Sequence, residues 1–428
     1  MTVDVVVVGG GPAGLSAAIE LRRLGAGSVL VADREAAAGG VPRHSFHTGY
    51  GLRDRRRVMT GPAYARALAG AAVAAGAQLR TGTTVTGLAL CPGGPHQVTL
   101  TSAAGIETVP AAAVLLATGC RERPRAARLV PGDRPAGVMT TGELQQRVYL
   151  GGERLTGRAL VVGAEHVSFS AAVTLAHAGA EVVALVTGHE RQQSYAAFRL
   201  GAAVRWRIPV WTRVTVSRIV AGQGAERGRL AGVEVADART GEARLVPCQT
   251  VVFTGDWIPD HELARRAGLG LDPGTRGPAV DTALATSAPG VFAAGNLVHA
   301  AETADIAALS GRHAARWVTA FLREEPGAGP VIPARVPVLA EPPLRWISPN
   351  VAGAAAAPPL GRFVLRSGEF RRGARLEARQ DGRLLTRSRP VRLIPERPVH
   401  LAAGWLAQVD PAGGPVRVLV LTTHRRDR

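Results

Sequence analysis

The stretch DVVVVGGGPAGLSAA, from Asp4 to Ala18, leaves this chain few ways to fold. Four consecutive valines without polar alternation read as a strand buried on both faces. Gly9, Gly11 and Gly14 follow at once, and an Ala/Leu-rich helix begins among them. Strand, glycine turn and helix in that order form a dinucleotide fingerprint. Gly9 permits the tight turn, Gly11 lets the backbone approach a pyrophosphate, and Gly14 lets the helix close onto the strand. The helix start at Pro12 and Ala13 offers partial positive charge, and from Ala13 onward N–H groups, to phosphates.

The rest of the βαβ unit follows. The helix runs to about Leu24, Gly25 and Gly27 break it, and SVLVAD ends at Asp33. That places a carboxylate about 20 residues beyond the glycines, where it can accept hydrogen bonds from a ribose. Arg34 and the Gly39-Gly40 turn come directly after and join the expected cofactor-binding set. A small antiparallel meander (TVTGLAL, HQVTL, IETVP) then leads into an apolar strand, VLLATG, ending at Ala117, Thr118 and Gly119.

The plan then repeats. ALVVGAEHVSFSAAVTLAHAG supplies a second strand, turn and helix, EVVALV a second strand, and VTVSRIV, LAGVEV and ARLVP a second meander before TVVFTG. GVFAAGN ends at Gly295 and Asn296, and a helix of about 20 residues is expected from near Thr303 and Ala304. The expected organisation is α/β, with two Rossmann-like dinucleotide-binding domains, the second inserted in the first, and a C-terminal all-β, sandwich-like module. The expected boundaries are 1–122 with 256–325 for the first domain, 123–255 for the second, 326–345 for a Pro-rich linker and 346–428 for the module. Asp381-Gly382 marks a hairpin within the module.

Composition narrows the function classes. The 51 basic residues are all arginine, and the net charge of +18 is uneven, with seventeen arginines against seven acidic residues from Val331 onward. With no recognition helix or base-stacking motif beside that charge, nucleic acid is not an expected partner, and an acidic protein surface fits as well. The N-terminal apolar run is too short for a membrane span and has no basic region before it, so a cytoplasmic location is expected. Cys91, Cys120 and Cys248 form no CxxC, and a buried structural thiol is the expectation for Cys120.

GGGPAG with Asp33, the Ala117–Gly119 ATG and GVFAAGN together resemble the two-dinucleotide-domain flavoprotein reductases of the thioredoxin-reductase and glutathione-reductase type, over residues 1 to 325. The resemblance implies FAD on the first unit, NAD(P)H on the inserted one, and a late motif holding the ribityl-phosphate side. Here Asn296 stands where that family usually has aspartate, and the helix from Thr303 would point its positive end at the flavin ring. GGVPRHSFHTGYGL and TGPAYARAL resemble more narrowly the FAD-carrying subunits of hydrogen cyanide synthase, opine oxidase and D-hydroxyproline dehydrogenase. That implies a small amine, imino-acid or amino-acid substrate, together with a partner dehydrogenase subunit. Several such subunits end in a cysteine-rich iron–sulfur segment, whose place the β module takes here.

Two departures bear on the chemistry. No cysteine pair follows the first GG and no CxxC lies in the second domain, which argues against dithiol chemistry. Aligning the repeats sets Gly9 on Gly163, Gly11 on Glu165, Gly14 on Ser168 and Asp33 on Thr187. A carboxylate where a pyrophosphate should approach repels it by about 4 kcal/mol at ~4 Å and an effective dielectric near 20. Glu165 is further expected to cap the second helix itself, against tight NAD(P) binding; a shifted loop with Glu165 turned outward is the alternative.

Catalytic candidates are His44 and His47, as proton carriers over the flavin or as ordinary loop residues, and Arg43, as a fork for a substrate carboxylate. Trp257 is expected to pack near the flavin, Asp260 to cap the HELARR helix, and Arg55–Arg57 to form a solvated turn. The function expected is that of an FAD-dependent oxidoreductase working as one part of a heteromeric dehydrogenase. The alternatives are a self-sufficient NAD(P)H-dependent flavin reductase and a non-catalytic flavin-bound scaffold.

Overall fold

The structure is a computed structural model and describes residues 2–195, 207–323, 335–353 and 357–422. By contacts the chain divides into two units: Met1–Arg43, Thr48–Cys120 and Pro259–Arg428 in one, His44–His47 and Arg121–Ile258 in the other.

The first unit is built on Val3–Val8, whose residues Val5 to Val7 are fully buried. It pairs in parallel with Val29–Ala32 on one side and Gly105–Leu116 on the other. Gln78–Arg80 extends the sheet beyond Val29–Ala32, and Val291–Ala293 joins Gly105–Leu116 in parallel. Helix α1 (Pro12–Arg23) follows the first strand and α2 (Gly61–Ala74) precedes Gln78–Arg80. The long helix Ala304–Arg323 packs on α1 so closely that a Cβ on Gly311 would lie 2.0 Å from the Ala13 carbonyl oxygen. No other residue fits that crossing.

IETVP and the VLL of VLLATG, expected as separate strands, form one strand, Gly105–Leu116, which ends before Ala117–Gly119. Its first part runs antiparallel to His96–Ser102 and its last part parallel to Val3–Val8. No turn residue interrupts the run, and Pro110 is compatible with an extended backbone. One strand therefore carries the meander straight into the buried sheet.

In the second unit, Val138–Thr140, Thr250–Phe253, Arg158–Val162, Glu181–Thr187 and Val210–Thr212 form an all-parallel sheet in that order. Helices α3 (Thr141–Gln145) and α4 (His166–Ala178) lie against it. Here the meander Val214–Ala221, Leu230–Asp237 and Ala243–Pro247 is a separate three-stranded sheet. The short segments Cys120–Glu122 and Trp257–Pro259 pair as a two-stranded ribbon.

The C-terminal module groups with the first unit. Its larger sheet centres on Arg371–Gln380 and Val416–Thr422, and its smaller one on Leu344–Ser348, Arg362–Ser367 and Val399–Ala402. Phe363 and Trp405, both buried, stack at 5.0 Å in the core. Asp381 and Gly382 both take positive φ, 48° and 81°, as a two-residue hairpin turn requires. Part of the expected linker, 326–334, lies outside the described residues, but Val336–Ala340 and Leu344–Ser348 are strands. The strand Val336–Ala340, inside the expected linker, thus pairs into the module's larger sheet. Val336 and Val338 point into the core while Pro337 and Leu339 face out, so period-two burial prevails over proline content.

Candidate functional site

At the first glycine loop Gly9 has φ +106°, and a Cβ there would lie 2.5 Å from the Ala117 carbonyl oxygen. A Cβ on Gly14 would meet the Gly9 carbonyl oxygen at 1.9 Å, which is the close helix approach the fingerprint demands. Above Gly11 the nearest atom to such a Cβ is the Gly40 Cα at 3.9 Å, so the backbone there is open to a ligand. No side chain caps α1 and no acidic residue occupies its first turn. Among the described residues no side chain caps its first N–H groups, which suits them to an anion.

Asp33 is buried and spends one bond from each oxygen on this loop: Gly10 N–H donates to Oδ2 at 2.7 Å and Glu35 N–H to Oδ1 at 2.8 Å. The carboxylate expected on a ribose therefore also braces the turn. The Gly39 N–H donates to the Gly10 carbonyl at 2.7 Å, fixing the Gly39-Gly40 turn against the loop. Arg34 is largely exposed, 3.8 Å from Asp260.

The other two motifs close the same sheet edge. The Thr118 hydroxyl donates to the Asp260 carbonyl at 2.8 Å, and the Asp260 N–H donates to the Gly119 carbonyl at 2.9 Å. Asp260 is not the cap of helix Glu262–Arg266; His261 holds that position, because Asp260 is tied to the 117–119 strand end. Cys120 is partly exposed rather than buried. Gly295, at φ +70°, donates its N–H to the Ser310 hydroxyl at 3.1 Å. The Asn296 amide accepts from the Glu302 N–H at 2.8 Å and donates to the Glu302 carbonyl at 3.1 Å, closing the 296–302 loop.

Thr303 and Ala304 open the long helix, whose start is not bare. Buried Asp305 accepts from the Ile306 N–H at 3.0 Å, from the Thr303 hydroxyl, and from the Arg53 backbone and guanidinium at 3.1 Å each. The expected exposed positive end carries its own carboxylate, balanced by Arg53. The Arg53–Asp305 pairing spans 252 positions, and no local signal announces it.

The second glycine loop has a different fate. A Cβ on Gly163 would meet the Thr254 hydroxyl at 2.0 Å and the Glu165 and Ser168 side-chain oxygens at 2.7 Å each. The buried Ser168 hydroxyl donates to Glu165 Oε2 at 2.6 Å and lies 2.6 Å from the Thr254 hydroxyl. Glu165 is the N-cap residue of α4, but its side chain makes no cap bond, contrary to expectation. It is buried instead, accepting from the Ser168 hydroxyl, which in turn sits beside Thr254. The Gln193 and Ser194 N–H groups both donate to the Ala164 carbonyl at 3.1 Å, laying that segment over the loop. Thr187, in the ribose position, accepts from the His189 N–H.

Close by, Glu122 accepts from the Gly142 N–H at 2.8 Å, and burial pushes its carboxyl up to about 7. Arg128 donates to the Thr254 and Gly255 carbonyls at 2.8 Å each. Glu122, Arg128 and Thr254 escaped sequence reading because they converge from separate segments.

Of the catalytic candidates, His44 is buried with Nδ1 3.4 Å from Gln145 Oε1, within the second unit. Phe46 stacks on Tyr149 at 4.3 Å, and His47 is exposed. Arg43 donates to the Ala37 carbonyl and pairs with Glu35 at 3.2 Å. Arg55 and Arg57, expected as a solvated turn, line a cleft of about 350 Å³ with Asp54, Met59, Ala67 and Arg312. The fully buried side chain of Asp54 accepts from the Tyr64 hydroxyl at 2.8 Å, and burial raises its carboxyl above the usual range.

A parallel dinucleotide sheet with an uncapped, open glycine loop, interrupted by a second sheet of the same kind, defines a two-dinucleotide-fold flavoprotein oxidoreductase. The chain belongs to the pyridine nucleotide-disulphide oxidoreductase family, whose model matches residues 3–311 and whose members generally bind FAD. It is 28% identical over 346 residues to an opine oxidase subunit of Agrobacterium tumefaciens (strain Ach5), covering 75% of this chain and 66% of that one. It is 31% identical over 277 residues to the alpha subunit of sarcosine oxidase from Corynebacterium sp. (strain P-1), covering 60% of this chain and 26% of that one. The chain thus spans less than two thirds of either relative. Lactococcus lactis thioredoxin reductase shares the fold, with a TM-score of 0.61 at 19% identity over 75% of this chain and 99% of that one.

The residues around Gly11 fit FAD: an uncapped helix, an open backbone and a braced acidic position. Gly11, Pro12, Ala13 and Gly14 would hold its pyrophosphate, with Asp33, Thr118, Gly295 and Asn296 around it. Bound there, FAD supplies reversible two-electron acceptance.

Proposed function

We propose that this chain is the FAD-carrying subunit of a heteromeric oxidoreductase that oxidises a small amine, imino acid or amino acid and exchanges electrons with a partner subunit. The observation that carries this reading is the contrast between the two glycine loops. Around Gly11 the backbone is open, whereas Glu165, Ser168 and Thr254 fill the equivalent space beside Gly163. Filling that space with a carboxylate opposes a second anionic dinucleotide, so the flavin needs another electron partner. The names of the opine oxidase and sarcosine oxidase relatives, each one subunit of its enzyme, support a heteromeric assembly with an amine-type substrate.

Dithiol chemistry is not part of the proposal, since the three cysteines form no CxxC pair. Of the catalytic candidates His47 is exposed, His44 faces Gln145 and Arg43 is engaged by Glu35. The test is an anaerobic spectrum of the FAD-loaded protein during addition of NADH, then NADPH, then candidate amines with the partner subunit. The flavin band is expected to persist with both nicotinamides and to bleach with substrate once the partner is present. Bleaching within seconds by micromolar NADH or NADPH would establish the self-sufficient reductase instead.

A further inference from the structure

The β module carries no recognisable catalytic motif, yet one of its arginines reaches the flavin-side loop. Arg366, on Arg362–Ser367, is 5% exposed and pairs with Glu302, 9% exposed, at 2.9 Å. The same Nη2 donates to the Ala301 carbonyl at 2.8 Å, and the guanidinium lies over the Trp346 ring at 5.1 Å. His299, two residues before Ala301, lies 5.3 Å from that ring. Buried Nη1 has no hydrogen-bond partner among the described residues. A buried guanidinium with an unsatisfied nitrogen is a costly way to fasten two domains, so its presence calls for a reason beyond stability.

The reason lies one bond further on. Glu302 is the residue whose backbone N–H and carbonyl both engage the Asn296 amide. Arg366 thus grips the far end of a loop whose near end is the residue expected on the flavin's ribityl-phosphate side. From Glu302 the chain runs through Thr303 into the long helix, where Asp305 is tied to Arg53. Further ties fasten the 335–353 segment to residues 280–286: Asn350 Oδ1 accepts from the Val280 N–H at 2.8 Å, the Thr282 hydroxyl donates to the Gly353 carbonyl at 2.8 Å, and Arg335 donates to the Thr286 carbonyl at 2.6 Å.

We infer that the β module is a working part of the flavin site, with Arg366 the positioning residue that sets the 296–303 loop, and hence Asn296, through Glu302 and the Ala301 carbonyl. Arg366 touches neither flavin nor substrate in this role. It acts by fixing where the Asn296 amide and the start of the long helix stand. Lysine at this position keeps a charge but loses the fork that reaches both acceptors and the flat face that stacks on Trp346. The inference rests on the first glycine loop binding FAD.

The test uses the full chain, freed of flavin and reconstituted, as wild type, Arg366→Lys, Arg366→Met and Glu302→Gln. Arg345→Met serves as a control at a module arginine paired with Glu396, 57% and 29% exposed. FAD affinity is read from quenching of flavin fluorescence, and the potential of bound flavin from equilibration with a reference dye. Arg366→Met and Glu302→Gln are expected to weaken FAD binding at least tenfold and to shift the potential of the flavin that remains bound. Arg366→Lys should recover part of both effects, and the control should match wild type. Wild type that takes up no FAD brings down the flavin reading and this inference together. Wild type that binds FAD, with folded Arg366→Met and Glu302→Gln matching it in affinity and potential, overturns the positioning role alone. If Arg366→Met does not fold, Glu302→Gln decides.

Discussion

Single residues show how burial sets chemistry here. Glu122 ordinarily titrates near 4.5, and burial lifts it to about 7 in the fold, with Glu165 adding in the same direction. Because the folded form holds its proton more tightly than the unfolded chain, this residue's contribution to stability is fully present below about 4.5. It is lost as pH rises through about 7, a difference of about 3 kcal/mol. Glu122→Gln keeps an acceptor for the Gly142 N–H without the titration. The variant is expected to flatten the fall in stability between pH 4.5 and pH 7 and to be the more stable protein at pH 8. Urea unfolding of both proteins across that range checks it. The sequence marked none of this, since Glu122 is one acidic residue after the ATG strand and its partners come from other segments. Gly9, Gly11 and Gly14, by contrast, were legible at once, because their roles depend on the positive φ of Gly9 and on missing Cβ atoms, which are local properties.

The two glycine loops are the same element with opposite endings. Both begin at the end of a parallel strand and lead into a helix, α1 or α4, but the space before α1 is open at Gly11 while the space before α4 is filled by Glu165, Ser168 and Thr254. The substitutions at 165 and 168 were readable by alignment of the repeats. The direction of the Glu165 side chain was not, because the Ser168 hydroxyl that donates to it also lies 2.6 Å from the Thr254 hydroxyl, which comes from 86 positions away. Replacing both residues, as Glu165→Gly with Ser168→Gly, empties the space and exposes the N–H groups of α4. NADH is expected to bind this variant at least tenfold more tightly than wild type, measured by isothermal titration calorimetry.

For the molecule as a whole, a ligand stabilises the part that binds it. Bound at 100 times its dissociation constant, FAD contributes about 2.7 kcal/mol to the unit that holds it. Scanning calorimetry of the flavin-free chain is expected to show the transition of the unit holding Val3–Val8 moving up when FAD is added. NADH should leave the transition of the Arg121–Ile258 unit where it was. An upward shift with NADH would mean that the second loop opens to nucleotide.

The chain's own order of residues dictated the two βαβ units, their sequence along the chain and the hairpins of the module, because valine runs, glycine spacing and Asp-Gly turns act over a few residues. Tertiary structure decided the rest: Asp33 bracing the first loop, Asp305 paired with Arg53 at a helix start, Glu165 folded onto Ser168, and Arg366 holding Glu302. Each of these needs groups brought together from 23 to 252 positions apart or turned inward by burial. Distances of that kind have no trace in local pattern, since which distant group meets which is settled by packing alone.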